Sequence, residues 1–444
     1  VAPDRPAASP TIDIAALSRA ARRLADPTTR LIGWGTGSAF DYFARRHPLP
    51  LAYLVDRDAT RWGTTRHGVP IEPPDRLRSE DPDRTFIVIY SSFWPDIQQA
   101  LARLGPFASL AASAVFVEPA ALALLARAEA WAAAPPRRPA AKDRAIVIQG
   151  PVVPEYTPLV VRALSGGYPD ARLILSTWAD TPAPDLAGLA PWVDELVTSR
   201  RPGRAGVQNR NLQIVSTRAG LARAKATGAR TILKTRTDLA VLRDGLFDDA
   251  RTWIDDPDAS APRTWGQAGR ILIPSTFTRK YLLYHPSDLV MLGAADDLER
   301  YWDVPLDPRP GDLLAPELRD LSLLSLNMNG HPAESYLGLS FCRRVGRRPL
   351  ATLEDSWAFY RDFFAVMDND WFGLLWLKHL SIPDAGIRSG PRTTVSHAFW
   401  RSLRDRAGAA GPPGADAAEM VRSVDPAGVD PATTPFATLI GLAS

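Results

Sequence analysis

The chain has 444 residues, about two to three times a typical domain, and is 45% hydrophobic and 23% charged, a globular composition that excludes disordered and fibrous classes. The net charge is +3 with both signs interspersed, too weak and too scattered for a polyanion groove, so nucleic acid is not an expected partner. The single cysteine, Cys342, rules out an internal disulfide and a thiolate zinc site; it sits in the apolar run Leu339-Ser340-Phe341 and reads as a buried side chain in a protein of a reducing compartment.

The first expected element is an amphipathic helix from about Ile12 to Leu24, closed by Asp26-Pro27. The opening Val1-Ala2-Pro3-Asp4-Arg5-Pro6 lacks the apolar core of a signal peptide, and no run of about 18 apolar residues is free of charge, so the expected location is the cytoplasm. Arg30 to Trp34 reads as a strand, followed by the turn Gly33-x-Gly35-x-Gly37 and a helix from Ser38 to about Arg46. Strands over Leu51–Val55 and Thr85–Tyr90 and a helix over Trp94–Leu104 complete the alternation of a parallel sheet. Gly33, Gly35 and Gly37, with Asp56 about 20 residues on, stand where a dinucleotide fold places its pyrophosphate turn and its ribose-binding acid. Ser38 replaces the third glycine of the full fingerprint, so an NAD-like ligand and a ligand-free role both stay open. An Ala-rich helix from Pro119 to Ala134 leads into the linker Pro135-Pro136-Arg137-Arg138-Pro139-Ala140-Ala141. The expected division is a domain over 1–134, a linker over 135–143, a second domain over 144–403 and a loosely ordered Gly/Ala/Pro-rich tail over 404–444.

The second domain again alternates: strands over Ala145–Gln149, Ala171–Thr177, Glu195–Thr198 and Thr231–Arg236, with helices over Thr157–Leu164 and Asn211–Lys225. Beyond Ile271 the pattern becomes mixed, with short strands and aromatic helices such as Trp371–Leu380. Ligands of open α/β sheets sit at the carboxyl ends of strands. Those ends carry Gln149-Gly150-Pro151, Ser176-Thr177-Trp178 and Thr235-Arg236-Thr237-Asp238, a set of amide, hydroxyl, aromatic, guanidinium and carboxylate groups suited to a nucleotide diphosphate. In this reading Trp178 stacks on a base, Gly150 lets the backbone approach, and Asp238 holds a divalent cation, Mg or Mn. Lys234 and Arg236, two apart on a strand, face one side. Each signal alone is weak, since strand-end acids often cap helices and strand-end tryptophans are often core. Asn209 and Asn211 either bind a sugar or cap the helix that follows, and His285 near Asp288 lacks the third ligand of a zinc site.

Four blocks in order, Val147-Ile148-Gln149-Gly150-Pro151, Leu173-Ile174-Leu175-Ser176-Thr177-Trp178, the run Asn209 to Leu221 and Leu233-Lys234-Thr235-Arg236-Thr237-Asp238, resemble the WavE family of lipopolysaccharide synthesis. A weaker continuation runs through His285-Pro286-Ser287-Asp288 and Pro332-Ala333-Glu334. The resemblance implies a GT-A-like glycosyltransferase that takes a nucleotide-sugar donor, through Gln149, Gly150, Pro151, Ser176, Thr177, Trp178, Asn211, Gln213, Lys234, Arg236 and Asp238, and passes the sugar to a surface-glycan hydroxyl. Such enzymes carry an Asp-x-Asp metal motif; here the matching place holds one carboxylate, Asp238, so Arg236 or Lys234 is an alternative source of positive charge. Inverting transfer needs a general base, for which Glu334 is preferred, with Asp288 binding the acceptor. A lipid-linked acceptor would bring the protein to the inner face of a membrane.

The first domain lies outside this resemblance. Its Leu54-Val55-Asp56, Gly63, His67-Gly68-Val69-Pro70 and Ile87-Val88-Ile89 resemble Rossmann-like domains attached to polysaccharide-biosynthesis proteins. The fold expected for the whole is therefore α/β, a Rossmann-like domain followed by a GT-A-like one. Two other classes compete: an NAD-dependent sugar-nucleotide oxidoreductase or epimerase, and a non-catalytic scaffold of glycan assembly. The first is disfavoured because no Tyr-x-x-x-Lys pair exists: Tyr53 and Tyr90 are followed four residues later by Arg57 and Trp94. The incomplete metal motif is the main support for the second.

Overall fold

The computed structural model describes residues 22–24, 26–37, 40–41, 43–44, 48–91, 94–111, 119–135, 143–256, 260–309, 316–377, 394–407 and 432–433. Most of the expected 12–24 helix, the helix start at Ser38, residues 136–142 of the linker and most of the tail after 404 lie outside them. The chain divides into two compact units: the first runs to Ala130 and takes in a segment from Leu375, and the second begins at Trp131, runs to Leu374 and resumes at Gly386.

The first unit is a six-stranded sheet of β1 (Arg30–Trp34), β2 (Tyr53–Val55), β3 (Thr65–Arg66), β4 (Val69–Glu72), β5 (Thr85–Ile89) and β6 (Ala108–Ala111), in the order β3-β4-β2-β1-β5-β6. All neighbours are parallel except β3 and β4. Side chains alternate across a strand, and here both sides are covered. Leu31, Leu54, Phe86 and Val88 join Phe40 and Tyr90 on one face. Ile32, Trp34, Val55, Ile87 and Ile89 join Ile97 and Leu101 on the other. Those last two lie one turn apart on α1 (Trp94–Leu104), which explains why this helix docks with that face.

The second unit is built on β7 (Arg144–Gln149), β8 (Arg172–Trp178), β9 (Glu195–Ser199), β10 (Thr231–Arg236), β11 (Leu239–Val241), β12 (Ile271–Pro274), β13 (Met291–Ala294) and β14 (Phe364–Met367). Its main path is β14-β12-β13-β10-β7-β8-β9. β7 is parallel to β8 and β10, β8 to β9, and β12 to β14; β13 is antiparallel to both neighbours, and β11 folds back on β10. β7 is the near-continuous apolar run expected of a strand covered on both faces, and β10 is buried through its middle although it carries Lys234 and Thr235 there. The helices that matter below are α2 (Thr157–Gly167), α3 (Arg210–Ala226), α4 (Ala295–Trp302), α5 (Ala333–Arg344) and α6 (Leu353–Phe363). Cys342 is fully buried on α5.

One expected element is replaced. The aromatic helix over Trp371–Leu380 is instead a single turn, Asn369–Phe372, followed by a strand over Leu374–Trp376; residues 378–380 lie outside the described part. Gly373 adopts a left-handed conformation, and its N–H closes on the Asp370 carbonyl at 3.1 Å, ending the helix as glycine C-caps do. Among the described residues no helix is long and apolar enough to cross a membrane.

Candidate functional site

The chain winds from β7 outward through β8 and β9, then returns to β10 on the other side of β7. The gap between β7 and β10 is therefore the point where winding reverses, and the carboxyl ends of these strands form the natural crevice. The register sets Gln149 opposite Arg236 and opposite Ser176. Just beyond, Gly150 has φ +130°, and a Cβ built there would stand 2.7 Å from Thr237 Oγ1. Only glycine lets the two strand-end loops come this close.

The uncharged residues expected at the donor are largely committed to the protein itself. Gln149 Oε1 accepts from Ser216 Oγ at 2.8 Å, and Ser176 Oγ donates to the Ser216 carbonyl at 2.7 Å. Thr177 is buried, with its hydroxyl 3.4 Å from that of Thr181. Trp178 is 1% exposed, and the Arg201 guanidinium lies 4.9 Å from its ring centre, so the ring has no open face for a base. Asn211 neither caps α3 through its side chain nor faces solvent: it donates to the Asp307 carbonyl at 2.8 Å and accepts the Asp307 N–H at 2.7 Å, pinning a distant loop. Asn209 sits at the start of α3 in a left-handed conformation without a side-chain cap. Pro151 is exposed, and Gln213 is half-buried with its Oε1 lacking a hydrogen-bond partner. These groups build the floor and walls of the crevice.

The charged residues form its centre. Arg236 donates from Nε and Nη2 to the two oxygens of Asp238, at 2.8 and 2.9 Å. Burial opposes the guanidinium charge, but Asp238 more than offsets it, and the net direction is upward. Lys234 is fully buried; its ammonium donates to the Asp288 carbonyl and lies 4.8 Å from the centre of the Trp302 ring. Burial lowers the Lys234 ammonium to about 8, against the opposing pull of Asp288. Asp288 is buried with one carboxylate oxygen unpartnered, and burial, then Glu334, push it above the ordinary carboxylate range. Burial raises Glu334 as well, against the pull of Arg279, Arg210 and Arg236. Its Oε2 lies 3.4 Å from His285 Nε2. Burial pushes the His285 imidazole down to about 4, and Arg279 adds to the effect. Lys234, Arg236, Asp288 and Glu334 thus act on one another in one electrostatic cluster.

Glu334 owes its position to contacts that local sequence does not announce. It lies in the first turn of α5, one turn before Gly338 on the same helix face. A Cβ at Gly338 would collide with the Tyr284 carbonyl oxygen, so this glycine seats α5 against the backbone next to His285. Gln208 Oε1 accepts the Ala333 N–H at 2.9 Å, satisfying a donor of the first helical turn. The buried Arg210 donates to the Gly330 carbonyl at 2.5 Å and pairs with Asp307 at 3.0 Å. Gly338→Ala is expected to destabilise the protein by about 1–3 kcal/mol through overpacking. Urea unfolding measures this, and an unchanged midpoint would mean that α5 is not seated in this way.

A divalent cation fits this site poorly. Both Asp238 oxygens are occupied by Arg236, and among the described residues no group of three or more His, Cys, Asp or Glu could hold a metal. In the first unit, Asp56 is likewise engaged by its own chain. Its Oδ2 accepts the Thr36 N–H at 3.0 Å, within the Gly33-x-Gly35-x-Gly37 turn, and its Oδ1 accepts the Asp58 N–H at 3.0 Å. Arg61 stands 3.9 Å from the same carboxylate. A cavity of about 800 Å³, lined by Arg218, Lys225, Glu299 and Asp303 among others, lies along the later half of α3. Its acids and bases pair with each other, as Lys225 does with Glu299 at 2.6 Å.

Residues 145–321 match the model of a family described as WavE lipopolysaccharide synthesis. No curated protein and no solved structure matches the chain. The matched stretch contains the switch point, Lys234, Arg236, Asp238, His285 and Asp288; Glu334 follows it in the chain. This part of the chain is therefore similar to a lipopolysaccharide-synthesis family, and the similarity and the parallel-rich α/β sheet are consistent with glycosyl transfer in general.

Proposed function

We propose that the second unit is a GT-A-like glycosyltransferase that moves a sugar from a nucleotide-sugar donor to a hydroxyl of a lipopolysaccharide or related surface glycan. The observation that carries this reading is the cluster of Lys234, Arg236, Asp288 and Glu334 at the β7–β10 switch point, beside the glycine-opened loop at 150. Cationic groups at the mouth of a sheet suit a diphosphate, and buried carboxylates next to them suit a base and a hydroxyl ligand. The unpartnered oxygens of Asp288 and Gln213 are what a polar sugar would satisfy.

In the reaction, the Glu334 carboxylate takes the proton of the acceptor hydroxyl. The hydroxyl oxygen bonds to the anomeric carbon, and the bond from that carbon to the diphosphate breaks with its electron pair on the leaving oxygen. Arg236 faces the charge that develops there, and Asp288 orients the acceptor. The donor contacts proposed are Gly150, Pro151, Gln213, Arg236 and Lys234, with Gln149, Ser176, Thr177, Trp178 and Asn211 holding the loops that present them. A lipid-linked acceptor would place the protein at the inner face of a membrane as a peripheral guest.

The test is to incubate the full chain with a panel of nucleotide sugars and measure release of nucleoside diphosphate. Release from one donor, abolished in Glu334→Gln, is the expected outcome. A chain that leaves every donor intact and binds none of them would overturn the reading in favour of a scaffold.

A further inference from the structure

The imidazole of His285 has both nitrogens fixed by its surroundings. Its Nδ1 lies 2.9 Å from the Phe277 carbonyl, which accepts only, so Nδ1 carries the hydrogen. The residue's own N–H donates to Tyr360 Oη at 2.8 Å, and its carbonyl accepts from the Arg279 N–H at 3.1 Å. Side chain and backbone are both held, and the residue is 4% exposed. In the neutral ring, Nε2 is therefore an acceptor, and it faces a second acceptor, Glu334 Oε2, at 3.4 Å. Two lone pairs pressed together inside a protein repel each other. The arrangement is relieved when one proton lies between them.

We infer that His285 is a positioning residue that keeps one proton on the His285–Glu334 pair and thereby sets the pH above which Glu334 is free to accept the acceptor's proton. The inference deepens the transferase reading and rests on it for its catalytic meaning, but the shared proton itself does not. Every charged neighbour acts on the pair. Arg279 on the preceding loop, Arg236 on β10 and Arg210 on α3 favour an ionised Glu334, while Asp288 opposes it. Lys234 on β10 and Tyr301 on α4 face the same carboxylates, and Tyr360 on α6 faces the ring. Burial of both partners tips the balance towards a neutral imidazole and a protonated carboxyl.

The test is ¹⁵N NMR of the chain with labelled histidine, which has six such residues to assign. The expected result is an Nδ1–H tautomer for His285 whose Nε2 shift moves as Glu334 titrates, and a movement lost in Glu334→Gln. A His285 that carries its hydrogen on Nε2, or titrates at an ordinary imidazole pH with no dependence on Glu334, overturns the inference whether or not the chain transfers sugar. If transfer is found, His285→Gln adds an activity readout. Its amide N–H donates where Nε2 accepted, so the acid limb of kcat/KM moves down by about a unit. A merely structural role would lower the rate at every pH and leave that limb in place; Glu334→Asp keeps the pair in wild-type His285 and retains the limb.

Discussion

Glu334→Gln is expected to lower kcat by about 10²–10⁴-fold while leaving donor affinity within a few-fold of the original. The substitution keeps the size of the side chain and its place on α5 but replaces the carboxylate by an amide, which does not take up a proton in the ordinary pH range. Donor binding does not depend on it, because the cationic groups at the switch point are held by other partners: Arg236 by Asp238 and Lys234 by the Asp288 carbonyl. Product release in single-turnover reactions, with nucleoside diphosphate binding followed by calorimetry, separates the two effects. Equal losses in binding and turnover would remove Glu334 from the role of base.

The same residue fixes the sign of the pH profile. A base acts in its ionised form, and Glu334 is shifted above the ordinary carboxylate range by burial. Activity therefore rises with pH through that elevated value and not near pH 4. Above about pH 8 the Lys234 ammonium loses its proton. One of the two cations that face Asp288, the other being Arg236, is then gone, and the profile falls again.

The sheets were the readable part of this molecule. The runs Ala145-Ile146-Val147-Ile148 and Ile232-Leu233 are apolar because both faces of a central strand are covered, a property that any short window of sequence displays. The strand ends follow from them, and the sequence by itself puts Gly150, Arg236 and Asp238 at the carboxyl ends of two strands, which the register makes neighbours. Around Trp371 the aromatic spacing points to a helix, while the left-handed backbone of the single Gly373 ends it after one turn. Trp178 and Asn211 have partners within the chain that no local pattern displays. Each is at a strand or helix end where a ligand could reach, but Arg201 and Asp307 reach it first, and both come from remote loops. The local sequence offers His285 only beside Asp288, as half of a metal pair, and gives no signal for Arg279 or Gly338. Their meaning arises from α5 crossing the 284–285 backbone, a contact between segments some fifty residues apart.

Arg236→Ala is expected to cost donor affinity and protein stability together, and the two losses have different origins. Asp238 is 5% exposed in its side chain, so removing Arg236 takes two charged N–H donors from a buried carboxylate, which destabilises by about 3–5 kcal/mol. Loss of the guanidinium that faces the leaving diphosphate lowers kcat by about 10²–10³-fold. Arg236→Lys keeps the charge but not the two parallel N–H bonds, and recovers little of either. The double variant Arg236→Ala/Asp238→Ala separates the causes. It removes that carboxylate as well, so thermal stability returns towards the original, while donor binding stays weak. Because both Asp238 oxygens already serve Arg236, donor binding is also expected to survive chelator treatment. If binding instead needs Mg or Mn and is lost equally in Asp238→Ala and Arg236→Ala, then Asp238 is a metal ligand that lets go of Arg236 when the donor arrives. The guanidinium would then hold the carboxylate in place until the cation does.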